Sequence, residues 1–99
     1  MISIKLHEII REHQKIIILA ACDSVLLGKK LKENNLELEV SEKFYKGKEV
    51  SEKELINLLQ DCDSANFVGE ETINILIKHK IVKPEDIMRI NGIPHIQIF

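Results

Sequence analysis

Two short segments of the chain carry residues that could contact nucleic acid. Lys29, Lys30 and Lys32 cluster in the first, and Tyr45-Lys46-Gly47-Lys48 combines an aromatic ring with two cations in the second. Cations bind phosphate groups and a flat ring stacks on a base, so the combination is typical of RNA contacts. The alternative is a solvated surface, because most lysines are exposed without any ligand. The candidate RNA-binding residues are Lys29, Lys30, Lys32, Tyr45, Lys46 and Lys48.

The residue types that bind metals or perform catalysis are scattered. Neither cysteine belongs to a Cys-x-x-Cys pair, and no histidine lies at metal-ligand spacing from one, so both cysteines are predicted to be small buried apolar residues. A hydrogen-bonded structural histidine is favoured over a general base at His95, which Pro94 and Ile96 flank. We expect no metal, no cofactor and no catalytic constellation. The residues considered are His7, His13, His79, His95, Cys22 and Cys62.

A glycine between a short apolar run and a helix could form a phosphate cradle from free backbone amides. Gly69 occupies such a position after Ala65–Val68. Glu70 and Glu71 follow it in the first helical turn, where carboxylates satisfy the positive end of the helix dipole and repel phosphate. The sequence therefore favours a capped helix packed on a sheet, with Ile73, Leu76, Ile77 and Ile81 on its buried face.

The amino-terminal half of the chain predicts a strand hairpin followed by a short helix. Ile2, Ile4 and Leu6 alternate with polar residues, as in a half-buried strand, and the apolar run Lys15–Cys22 is typical of a central strand. Asp23 or Ser24 is predicted to cap a short helix that runs through Leu31 and ends at Asn34-Asn35. Leu36–Val40 alternates clearly enough for a strand.

The next elements are predicted from turn and cap residues. Phe44–Lys48 has the composition of a turn with aromatic residues at its start. Ser51-x-x-Glu54 matches a capping box that opens a helix. Pro84 favours a single helical turn, and Asn91-Gly92 favours a tight hairpin turn before Ile93. Pro94 then predicts an edge strand, or a strand whose paired part begins only after His95.

Length and composition predict one domain. The chain has 99 residues, of which 44% are hydrophobic and 30% charged, and its formal net charge is −2. These values are ordinary for a globular domain and exclude a strongly basic nucleic-acid module. We expect residues 1–99 to form a single α+β domain, with a mixed sheet of four to six strands and two or three helices mainly on one face. The sequence predicts neither a membrane span nor a signal peptide, so we expect a cytoplasmic protein.

Several blocks of this sequence resemble those of a small archaeal family, known as domain of unknown function family four hundred twenty-four. The blocks include Ala65–Glu70 and Ile90–Ile98, and the resemblance covers nearly the whole chain in order and spacing. It implies a small, single-domain, cytoplasmic archaeal protein of mixed α/β structure, and it carries no catalytic role. Ile96 stands where the family usually has alanine. The family-motif residues are Asn66, Gly69, Glu70, Gly92, Pro94 and His95.

The favoured functional prediction is a non-enzymatic protein of translation that binds structured RNA, as a ribosomal or ribosome-associated protein. Its partners would be ribosomal RNA and ribosomal proteins. This prediction rests on an archaeal family without an enzyme signature and on the two lysine segments. Two alternatives stay open. One is an interaction module or homodimer through an edge strand at Ile93–Phe99. The other is a small-molecule enzyme with a pocket near Asn66, Glu70 and His95.

Overall fold

A long antiparallel hairpin forms the centre of the fold, as the alternating and apolar segments predict. Strand β1 covers Ile2–Arg11 and strand β2 covers Gln14–Asp23, with Arg11 opposite Gln14. Glu12 and His13 connect them with φ of 51° and 68°, the left-handed backbone of a tight hairpin turn. The structure is a computed structural model, and it describes residues 1–98.

The other strands of the main sheet add to both sides of this hairpin. Strand β5 (Lys48–Val50) pairs with β1, and strand β6 (Ser64–Val68) pairs in parallel with β2. Strands β7 (Met88–Ile90) and β8 (Ile93–Ile98) complete the order β5-β1-β2-β6-β8-β7. The β2–β6 pair is parallel and the other pairs are antiparallel, so the predicted mixed sheet is confirmed with six strands.

Two hydrophobic cores cover the two faces of this sheet. Ala20 and Ala21 are neighbours on β2 and belong to different cores, since successive side chains of a strand point to opposite faces. Helices α2 (Glu52–Leu59) and α3 (Glu70–Lys78) pack on the Ala21 face. Tyr45 from helix α1 (Glu42–Tyr45) packs on the Ala20 face, together with residues of a separate hairpin of strands β3 (Lys30–Glu33) and β4 (Leu36–Glu39).

The capping box of α2 is confirmed. The Ser51 hydroxyl accepts a hydrogen bond from the Glu54 amide at 3.2 Å, and the Glu54 carboxylate accepts one from the Ser51 amide at 3.4 Å. The predicted helical turn at Pro84 is also present, as a 3-10 turn over Pro84–Asp86. Asn91 and Gly92 form the predicted turn between β7 and β8, with φ of 50° and 82°.

The predicted helix through Leu31 is wrong. A 3-10 turn over Ser24–Leu26 is followed by Gly28 at φ 83°, and the lysines then lie in the β3–β4 hairpin. Leu31 is buried opposite Leu38, so the segment alternates with the period of a strand. Asn34 at φ 54° serves in the hairpin turn rather than ending a helix. The Leu36 strand prediction is confirmed.

The predicted turn at Phe44–Lys48 is also wrong, because this segment is divided between α1 and β5. Ser41 caps α1 through a hydrogen bond from the Phe44 amide at 3.2 Å. The buried Ser3 hydroxyl donates to the Tyr45 carbonyl at 2.9 Å and accepts from the Gly47 amide at 3.2 Å. These contacts hold α1 against β1.

Pro94 does not mark an edge strand, since β8 lies between β6 and β7. Its carbonyl accepts from the Gly69 amide at 2.9 Å, while the Gly69 carbonyl accepts from the Ile73 amide at 2.9 Å. The Gly69 carbonyl therefore already has a donor and does not need the amide that proline lacks at position 94. A proline thus fits inside the sheet. The predicted interface at an edge strand Ile93–Phe99 has no structural basis, because Ile93–Ile98 is an inner strand of the sheet. Phe99 lies outside the described residues. Oligomerisation itself stays a prediction.

Helix α3 is shorter than its apolar pattern predicts. Ile73 and Leu76 are buried as expected, but the helix ends at Lys78 and Lys80 has φ 58°. Ile81 therefore lies beyond the helix and is 39% exposed. None of the helices within residues 1–98 is long and apolar enough to cross a membrane.

Candidate nucleic-acid contact surface

The lysines of the β3–β4 hairpin are paired with carboxylates. Lys30 Nζ lies 3.5 Å from Glu37 and 3.9 Å from Glu39, and Lys32 Nζ lies 4.0 Å from Glu37. The β-ladder places these residues directly across from one another, Lys30 against Glu39 and Lys32 against Glu37. Two glutamates thus balance two lysines on this surface. Lys29 is exposed and precedes the strand.

The second predicted segment does not present its aromatic ring. Tyr45 is only 5% exposed, and burial raises the pKa of its hydroxyl to about 12. Lys46 pairs with Glu42 at 3.6 Å and Lys48 with Glu54 at 3.4 Å. The prediction that Tyr45 stacks on a base is wrong, because the ring belongs to the core between α1 and the sheet.

A different surface combines cations with two half-buried rings. Lys5 and His7 of β1 and Ser41, Lys43 and Phe44 at α1 line a hollow of about 380 Å³. The His7 imidazole stacks on the Phe44 ring, with centroids 4.5 Å apart and an interplanar angle of 15°. The His7 ring is further fixed by a contact of 2.9 Å between its Nε2 and the Phe44 carbonyl. We call these five residues the Lys5–Lys43 hollow.

The charge of the Lys5–Lys43 hollow is positive. Lys5 Nζ donates to the Lys43 carbonyl at 2.8 Å, a neutral acceptor that leaves the ammonium charge uncompensated. Among the ion pairs formed within residues 1–98, none involves Lys5 or Lys43. No carboxylate of residues 1–98 lines the hollow. The sequence signal was weak, because the two halves lie more than thirty residues apart and α1 was not predicted.

The amino terminus of α3 is already occupied by a carboxylate of the protein. Asp23, at the end of β2, accepts hydrogen bonds from the Glu71 amide at 3.1 Å and the Thr72 amide at 2.8 Å. It also accepts from the Thr72 hydroxyl at 2.8 Å. Gly69 has φ 115°, and a Cβ at this position would fall on the Asp23 carboxylate. The predicted capped helix is confirmed, but the cap comes from Asp23, which the sequence reasoning missed.

Two family-motif residues lie together on the sheet. Asn66 is opposite Gln97 and His95 is opposite Val68, which places Asn66 and His95 on the same face of adjacent strands. His95 Nε2 is buried without a hydrogen-bond partner in residues 1–98, contrary to the favoured hydrogen-bonded histidine. Burial lowers the pKa of His95, so its ring is neutral at pH 7.

Of the other family-motif residues, Gly92 lies in the turn between β7 and β8, and Glu70 forms an ion pair. Arg89 donates to the Glu70 carboxylate at 2.7 Å and to the Gly92 carbonyl at 2.8 Å. Glu70 is therefore engaged away from Asn66 and His95. The four hollows described within residues 1–98 are lined by none of these three residues. The predicted enzyme pocket has no support from this arrangement.

A model of the DUF424 family, described as "Protein of unknown function (DUF424)", matches residues 10–99. The chain belongs to this family. Its structure is similar to the crystal structure of an uncharacterized conserved protein from Methanopyrus kandleri, with a TM-score of 0.78. The two sequences are 25% identical, over 98% of this chain and 89% of the other. A comparison with curated proteins finds no match.

The cysteines of this DUF424 member are separate thiols. Cys22 is fully buried, and burial raises the pKa of its thiol to about 12, which agrees with the predicted small apolar role. Cys62 is half-buried and its Sγ lies 3.3 Å from the Leu59 carbonyl. Within residues 1–98 no group of three His, Cys, Asp or Glu side chains could hold a metal ion.

Proposed function

We propose that the protein binds structured RNA without catalysis, as a ribosomal or ribosome-associated protein of translation in the cytoplasm. The observation that supports this best is the Lys5–Lys43 hollow, where two lysines with no carboxylate partner in residues 1–98 flank a stacked imidazole–phenyl pair. The ammonium groups would bind phosphates, and the ring pair would receive an unstacked base. The hollow takes the place of the β3–β4 lysines as the main contact, and Lys29, which is exposed just before β3, is a second candidate contact.

The charge of the whole protein limits how tightly it can bind RNA on its own. The formal net charge is −2, so long-range attraction to RNA is absent and affinity depends on local contacts. Two lysines neutralise about two phosphates, so the logarithm of the association constant should fall with the logarithm of the salt concentration with a shallow slope of about −1.4 to −1.8. Neighbouring ribosomal proteins would supply the rest of the binding surface.

Reversing the charge of Lys43 tests the proposal. Lys43→Glu should weaken binding to purified ribosomal RNA about tenfold, because the new carboxylate would pair with Lys5 and remove both cations from the hollow. Lys53→Glu is the matched control, since Lys53 is exposed on α2 and makes the same change in net charge. Fluorescence anisotropy at several salt concentrations measures the affinity and the slope.

The same titration can show that the Lys5–Lys43 hollow is not the RNA contact. If Lys43→Glu and Lys53→Glu weaken binding equally, only net charge matters and the Lys5–Lys43 hollow is not the contact. If the wild-type protein binds ribosomal RNA no more tightly than an unrelated acidic protein at low salt, RNA binding itself is rejected.

A further inference from the structure

Over most of its length, the outer edge of β1 has no strand partner among residues 1–98. Strand β5 pairs only with Ile2–Ile4, whereas β1 continues to Arg11. A Cβ on Gly47 would meet the Ile4 carbonyl oxygen, so that oxygen points towards β5. Because backbone direction alternates along a strand, the amides and carbonyls of Leu6, Glu8 and Ile10 also point outward. Within residues 1–98 no strand covers them.

The side chains along this edge form an alternating pattern. Leu6 and Ile10 share one face and are 44% and 79% exposed. Glu8 lies between them, and its exposed carboxylate pairs with the exposed Lys15 ammonium across the hairpin at 3.0 Å. On the other face lie Ile9, which is 40% exposed, and the two cations Lys5 and Arg11.

We propose that this edge receives an extended segment of another protein as an additional antiparallel strand. The free backbone groups would form the ladder, and apolar residues of the segment would cover Leu6 and Ile10. Neither Lys5 nor Arg11 forms an ion pair within residues 1–98, and they stand at the two ends of the open edge. The matching segment is therefore acidic at both ends and carries apolar residues opposite Leu6 and Ile10.

A second copy of the same strand fits this edge poorly. Two β1 edges related by a twofold axis pair outward-pointing residues with one another. The register that pairs all of residues 5–11 places Glu8 opposite Glu8 and Lys5 opposite Arg11. Directly opposite like charges destabilise a strand pair, so a hetero-partner is favoured over a homodimer at this edge. The inference does not depend on RNA binding, because its ladder uses the backbone of β1 at Leu6, Glu8 and Ile10, although it shares the charge of Lys5 with the Lys5–Lys43 hollow.

A designed peptide provides the probe. Its seven residues carry glutamate opposite Lys5 and Arg11, valine opposite Leu6 and Ile10, lysine opposite Glu8, and threonine at the other two positions. On saturation with this peptide, amide hydrogen exchange at Leu6, Glu8 and Ile10 in the full chain should slow at least about tenfold. A peptide of the same sequence, N-methylated at both valine amides, should give no protection, because its charge is unchanged but its ladder donors are removed.

Variants of the protein separate the backbone ladder from the side chains. Ile10→Pro removes an outward donor and should abolish peptide binding, while the matched Ile10→Thr keeps the amide and should retain most of it. Arg11→Glu should weaken binding of the peptide about fivefold. Circular dichroism verifies that each variant folds.

Three results would overturn the proposal. The first is the absence of peptide binding to the wild-type chain, and the second is binding without protection of the three amides. The third is a dimer by light scattering in which those amides are protected before any peptide is added, since the edge would then belong to a second copy.

Discussion

His95 shows how a single side chain can carry an energetic cost in the fold. Its Nε2 is buried without a partner in residues 1–98, and burial lowers its pKa below the ordinary 6.5. A protonated imidazole would place an unpaired charge among apolar neighbours such as Val68, which lies opposite it. The family-motif histidine is therefore held neutral in the folded protein.

This environment predicts a pH dependence of stability. Since the folded pKa of His95 is below the unfolded pKa, the unfolded chain binds more protons as the pH falls below about 6.5, and the free energy of unfolding decreases. Above that pH both states are neutral and His95 contributes no slope. Urea unfolding between pH 7.5 and 5 should show a smaller decrease for His95→Leu than for the wild type. An identical decrease in both proteins would contradict the assigned role of burial.

At the scale of elements, Asp23 links the central strand β2 to helix α3. One carboxylate satisfies two amides of the helix start and the buried Thr72 hydroxyl. The sequence showed a glycine before a helix and two glutamates after it, but not that a residue nearly fifty positions earlier would supply the cap. Such a link depends on the parallel pairing of β2 with β6, which places the ends of both strands together.

Removing this link should destabilise the protein strongly. We expect Asp23→Ala to lower the free energy of unfolding by about 2–3 kcal/mol, because it removes an N-cap and leaves the buried Thr72 hydroxyl without an acceptor. Asp23→Asn keeps one carbonyl acceptor and should lower it by less. Urea denaturation measures both. A loss below about 0.5 kcal/mol for Asp23→Ala would show that the cap contributes little.

Elements with a strong local pattern were predicted correctly, and two short elements without one were not. The alternation in β1 and β4, the apolar run in β2 and the Ser51 capping box each determine structure from neighbouring residues alone. In contrast, α1 and β3 have four residues each, too few for local propensity to decide. Their structure depends on burial of Tyr45 and Leu31 in a core formed by distant segments.

At the scale of the whole molecule, charges that cluster in sequence do not cluster on the surface. Lys30 and Lys32 lie across from glutamates of the neighbouring strand, whereas Lys5 and Lys43 come together from distant segments. The sequence predicted lysines beside an aromatic ring as the RNA contact, whereas the structure brings that combination together in the Lys5–Lys43 hollow. The packing of α1 against β1, which no local pattern predicts, brings Lys5 and Lys43 together without a carboxylate partner in residues 1–98.

Sedimentation of cell lysate through a sucrose gradient at low salt tests the central claim most directly. We expect the wild-type protein and Lys53→Glu to migrate with a ribosomal subunit, and Lys43→Glu to remain at the top of the gradient while keeping its fold. Ribonuclease treatment of the lysate should release the wild-type protein as well. If the wild-type protein stays at the top without ribonuclease, or if Lys43→Glu migrates with the subunit as the wild type does, the proposed role of the Lys5–Lys43 hollow in binding ribosomal RNA is contradicted.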